Sequence, residues 1–116
     1  MKTRLVIFGL IAGSMSLPLL GHHGWSEYDS SQTLTLSGTI KDAGYEHPHG
    51  HIVLVTPGKT WNAVLAPPSR METRGLSVAA LKPGVSATVV GYANRSKPEE
   101  MRAERITIDG KTIELR

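Results

Sequence analysis

Five histidines are the residues of this 116-residue chain whose type and spacing point to chemistry, and all five fall in two short clusters. His22 and His23 form the first; His47, His49 and His51, in the run YEHPHGHI, form the second. If the chain is cut after Gly21, His22 becomes the first residue. Its free amine and imidazole then chelate one ion in a six-membered ring, the two-nitrogen half of a histidine brace, which suits Cu(II). A cut one residue earlier leaves Gly-His-His, whose third-position His builds a square-planar Cu(II) or Ni(II) site with the amine and backbone amides. Either end is competent for copper.

In the second cluster the spacing is two. Pro48 biases His47 towards extended backbone. In a strand, residues i and i+2 share a face about 6–7 Å apart, close enough for two imidazoles to meet on one metal, while three in a row span about 13 Å. A pair completed by His22 therefore makes a better site than the three loop histidines alone, unless Gly50 bends the chain. The candidate ligands are His22, His23 and His49, with His47 and His51 as auxiliaries. Copper is the leading ion, and zinc is possible because imidazole serves both. Without a metal, these are solvated loop residues, and the chain is a module that binds a protein partner or a small ligand.

Other chemistry is sparse. There is no Cys, and the serines lack a Gly-x-Ser-x-Gly setting. Glu46 and His47 are adjacent, so in extended chain they point to opposite faces. No catalytic constellation is predicted, and a brace-like copper site is the one route to redox chemistry. Arg95, Lys97, Arg102 and Arg105 are interleaved with Glu99, Glu100 and Glu104, which reads as a solvated face. Met71 and Met101 read as apolar filling, and Trp61 as core. Trp25 and Tyr28 are expected to pack over the domain and fix the chain that leads into it.

The histidines take their meaning from what precedes them. Lys2 and Arg4, an apolar run over residues 5–20 and small residues up to Gly21 form the three parts of a secretory signal peptide. The strongly apolar part, residues 5–15, is well short of the roughly 20 residues a spanning helix needs, so a retained anchor is the lesser reading. The expected location is periplasmic or secreted, with no membrane anchor after cleavage. Loss of residues 1–21 leaves 95 residues and lowers the formal charge from +3 to +1. That balance carries no electrostatic footprint for nucleic acid.

Residues 22–32 are polar and aperiodic, an arm that on its own tends to disorder. From Thr33 a period-two pattern begins. Strands are predicted over residues 33–41, 51–56, 60–65, 85–92 and 101–108, with a return strand over 111–115 after the Asp109-Gly110 hairpin signal. Gly38 permits a bulge or coil in the first strand. Between the third and fourth strands, Ser69 and Glu72 fit a capping box for a short helix ended at Gly75. This order predicts an all-β domain over residues 33–116: a small OB-like Greek-key barrel with one short helix between strands 3 and 4. An open β-sandwich is the alternative.

Four segments, HHGW at 22–25, LSGTI at 36–40, HPHGHI at 47–52 and LKPG at 81–84, together resemble a family of small exported bacterial proteins of unknown function. That family is similar in its mature His-His-Ser-Trp start, a Leu-x-Gly-x-Val strand, an Asn-Pro-His-Ser-Trp-Ile segment and a Leu-Lys-Pro-Gly turn. The resemblance spans nearly the whole mature chain. His22, His23 and His49 match the family's histidines. Gly24 and Gly50 stand where it has Ser, His47 where it has Asn and His51 where it has Trp. The resemblance implies the compartment and fold but no settled activity.

Overall fold

The computed structural model describes residues 24–116. Its strands are β1 (Leu34–Gly44), β2 (His51–Thr56), β3 (Lys59–Val64), β4 (Ser86–Ala93), β5 (Glu100–Ile108) and β6 (Lys111–Glu114). A helix, α1 (Pro68–Thr73), and a 3₁₀ turn over Val78–Leu81 lie between β3 and β4, and another 3₁₀ turn covers Trp25–Glu27. The strands run in the order β3-β2-β1-β4-β5-β6, and a parallel β3–β5 pairing joins the sheet to itself. That closure gives the five-stranded OB-like barrel expected from the strand order and excludes an open sandwich. β6 extends β5 as a hairpin through Asp109 and Gly110, both at positive φ (51° and 73°).

The period-two pattern builds the core. Ile40, Ile52, Leu54, Ala63, Val89, Met101, Ala103 and Ile106 are all nearly inaccessible to solvent. Met71 of α1, with Leu76 and Leu81, closes one end of the barrel. Burial of each such large side chain stabilises the fold by roughly 1.5–3 kcal/mol. Gly38 serves a different purpose from a bulge. A Cβ there would collide with the carbonyl oxygen of Val55, so the glycine lets two backbones of the coiled barrel approach. The bulge in β1 falls later, at Lys41, where the pairing with β2 skips from Ile40 to Asp42.

The capping box is not formed. The helix starts at Pro68, with Pro67 as its N-cap and no side-chain capping bond. Pro68 pre-sets a helical φ and needs no amide partner, which moves the start ahead of Ser69. The C-terminal end is as expected: Gly75 N donates to Glu72 O and Leu76 N to Met71 O, a Schellman arrangement. Arg70 and Arg74 reach from α1 to the carbonyl oxygens of Leu115 and Glu114, covering the free side of the last strand.

The chain leading into the barrel is docked from Gly24 onward. Asp29 N donates to Ala93 O, Tyr28 bridges to Asn94, and Arg95 N donates to Glu27 O. Tyr28 is 1% exposed. Two aromatics in an otherwise polar segment supply the apolar area that offsets the entropy of fixing it.

Candidate functional site

The β1–β2 loop, residues 45–50, carries His47 and His49, and β2 opens with His51. His47 is exposed, whereas His49 and His51 are half-buried. Gly50 pins the loop. Its N–H donates to Ala66 O at 2.9 Å and its carbonyl accepts from Leu65 N at 2.8 Å. A Cβ at Gly50 would lie 2.5 Å from Cε of Met71, so any side chain there presses on the core plug. His51 packs over its cross-strand partner Gly44, where an added Cβ would run into Cε1 of the imidazole. His49 goes the other way, towards β5, and its Nε2 lies 3.3 Å from Nη2 of Arg102.

His49, His51, Pro48, Asn62, Val64 and Glu100 line one cleft of about 170 Å³. Its floor follows from register. His51 pairs with Val64, Val64 with Arg102, and Arg102 with Tyr92, which makes one transverse row on the outer face of the barrel. Asn62 and Glu100 form the next row. Ile52, Ala63 and Met101 point into the core from the same strands.

Glu100 and Arg102 are not on a solvated face. They are 8% and 6% exposed, because the segment from Trp25 to Tyr28 lies over this end of β5. The guanidinium carbons of Arg102 and Arg116 lie 4.3 Å and 4.4 Å from the centre of the Trp25 ring, and Tyr92 meets that ring edge-on at 6.2 Å. The Glu100 carboxylate accepts from Tyr28 Oη and Asn94 Nδ2, each at 2.9 Å. Asn94 Oδ1 in turn accepts from the N–H groups of Ser96 and Lys97, which sets the β4–β5 loop.

Electrostatics follow from this burial. Desolvation lowers the Arg102 pKa from its usual value, and the charges of Arg70 and Arg116 add to the effect, against a raising influence from Tyr28. Burial raises the Tyr28 pKa, and its hydrogen bond to Glu100 raises it further. A guanidinium has only donors, so the His49–Arg102 contact requires an unprotonated Nε2 on His49.

The five sequence candidates thus separate. His22 and His23 lie outside the described residues. Of the other three, His49 and His51 share a cleft and His47 stands in solvent. Among the described residues, no group of three His, Cys, Asp or Glu side chains is placed to hold a metal ion. Sequence reasoning missed Glu100 and Arg102. The available signal was the pair Trp25 and Tyr28, which had to be buried against something. Trp61, expected in the core, is half-buried at its margin with Lys59 Nζ 3.9 Å above the ring.

Residues 11–102 match DUF6152, a family of unknown function, a span that includes every histidine and ends on Arg102. The chain belongs to DUF6152. No curated protein matches it. Among solved structures, this DUF6152 chain is similar to a chain in the crystal structure of a complex of TiaS with an isoleucine tRNA and ATP. The TM-score is 0.52 at 16% identity, over 70% of this chain and 19% of that one. The DUF6152 chain therefore spans about a fifth of that relative's length, and the likeness is one of fold.

Proposed function

We propose that this DUF6152 protein is exported and binds a divalent metal ion, copper foremost, through His49 together with His22 and His23. One observation carries the reading: His49 and His51 line one cleft, and Trp25 packs on Arg102, whose guanidinium touches Nε2 of His49 and would give way to a metal there. His22 precedes Trp25 by three residues, a tether of about 10 Å at full extension. An N-terminal amine, its imidazole and a loop imidazole supply the nitrogen set that Cu(II) favours, and zinc accepts the same donors. His51, in the same cleft, is an auxiliary donor.

The experiment is a Cu(II) titration of protein processed in a bacterial periplasm, with native mass spectrometry for stoichiometry and cut site. One copper per chain beginning at His22, lost in H49A and in H22A/H23A, is the expected result. Equal binding by all three proteins would remove the assignment.

A second reading has its own support. Arg102 covers Nε2 of His49, and the cleft is lined by the β1–β2 loop and by β2 and β3, the face on which OB folds take their ligands. On that reading the domain is a metal-free module for a small ligand or a periplasmic protein partner. Absence of retained copper on a correctly processed chain would favour it.

A further inference from the structure

We propose a second binding site, for a free apolar amino acid, in a cleft between the 3₁₀ turn over Val78–Leu81 and the β5–β6 hairpin. The cleft holds about 260 Å³ and shares no residue with the one lined by His49 and His51. Leu76, Ile106 and Ile113, all nearly inaccessible to solvent, form its floor. The half-buried Ala80 and Ile108 form its walls. An apolar cavity of about 150 Å³ already takes a benzene ring. The side chain of leucine or phenylalanine therefore fits here, with the charged end of the molecule left at the rim.

The rim supplies what that end requires. Ile106 pairs with Ile113 and Ile108 with Lys111, so Lys111 leaves β6 on the inward face, in phase with the buried Ile113 and Leu115. The outer face of the same hairpin carries Thr107 and Thr112, whose hydroxyls meet at 2.8 Å. A lysine in an apolar row is out of pattern. Its ammonium reaches towards Gly75 O, at 3.5 Å, and a Cβ added to Gly75 would lie 2.7 Å from Nζ. Asp109 lines the same cleft. Among the described residues, Lys111 and Asp109 form no ion pair with each other or with a third group.

A zwitterion answers both charges at once. Its carboxylate accepts from Lys111 Nζ, and its ammonium donates to the Asp109 carboxylate and to Gly75 O, since a carbonyl oxygen has two lone pairs. A fatty acid would set a carboxylate beside Asp109, and an alkylamine would set an ammonium beside Lys111. Inward-pointing lysines also guard sheet edges, but that role calls for neither Asp109 nor an apolar cleft.

The test is an NMR titration of the full chain, with EDTA present so that metal plays no part. The probes are L-leucine, 4-methylpentanoate (leucine without its ammonium) and 3-methylbutylamine (leucine without its carboxylate). Leucine is expected to give saturable shifts at the methyl groups of Leu76, Ile106 and Ile113, and the other two to bind at least fivefold more weakly. K111M is expected to weaken leucine at least fivefold and 3-methylbutylamine not at all. D109N, which keeps a residue suited to the positive φ at that position, is expected to weaken leucine likewise and to spare 4-methylpentanoate. A80F, which fills the cleft, should abolish the shifts. The comparison of probes on the wild-type chain decides the matter even if a variant fails to fold. No saturable shift, shifts centred on His51 and Asn62, or either fragment binding as tightly as leucine would overturn the site. So would K111M that self-associates yet binds leucine as the wild type does, which would make Lys111 an edge guard.

Discussion

The guanidinium of Arg102 lies 3.3 Å from Nε2 of His49, and this pair joins the β1–β2 loop to the middle of the barrel wall. The contact lies beneath a segment that precedes the first strand. Arg102 is 6% exposed, whereas the side chain of Arg105, three residues along the same strand, is 38% exposed.

The two arginines should therefore differ in stability cost. R102A strips one of the two cations from Trp25 and the donor from His49, and is expected to destabilise by about 2 kcal/mol or more. R105A loses an exposed pair with Glu114, worth about 0–1 kcal/mol. Urea unfolding of both variants checks this, and equal midpoints would contradict the buried role given to Arg102.

Tyr28 makes the fold sensitive to alkali. Its pKa is raised above the ordinary value of 10.0 by burial and by donation to Glu100. Below pH about 10 the phenol is protonated in both states and its stabilisation is complete. As pH rises further, the unfolded chain loses the proton first, so stability falls. Y28F should flatten that decline and cost about 1 kcal/mol at neutral pH for the lost hydrogen bond. Absorbance at 295 nm, followed alongside circular dichroism, would show a phenolate that appears only on unfolding. Free ionisation of all three tyrosines near pH 10 in the folded protein would contradict this.

Two glycines should respond differently to the same methyl group. G38A drives a Cβ against the backbone carbonyl of Val55, which cannot swing away. G50A presses on the terminal methyl of Met71, a flexible side chain. Overpacking costs about 1–3 kcal/mol, and G38A is expected at or above the top of that range with G50A near the bottom. Thermal melts of the pair decide the order, and G50A as the more damaging change would be the contrary result.

Asn94 supports both the β4–β5 loop and Glu100. N94A removes the acceptor for Ser96 and Lys97 and one donor to a buried carboxylate. A loss of about 2 kcal/mol is expected, because a buried acceptor is left short of a partner. Hydrogen exchange at the Ser96 and Lys97 amides should accelerate more than at Val89 in the core. Uniform acceleration, or none, would mean that the loop is held by something else.

The alternation of apolar residues determined by itself that Leu54, Ala63 and Val89 face inward and that the domain is all-β, because side chains of a strand alternate between faces. Local chemistry also determined the Asp109-Gly110 hairpin and the Gly75 helix stop, since their backbone conformations depend on neighbouring residues alone. The capping box failed at this same local level, where Pro68 pre-empted Ser69. Closure of β3 on β5 was expected from strand order but made by register across residues 62–102. Only the tertiary structure decided the fate of Glu100 and Arg102. Their alternation with Met101 and Ala103 matches that of an ordinary half-exposed strand, and their burial comes from Trp25 and Tyr28, more than seventy residues earlier. It also decided that His49 turns to Arg102 while His51 lies over Gly44, a split that equal spacing conceals.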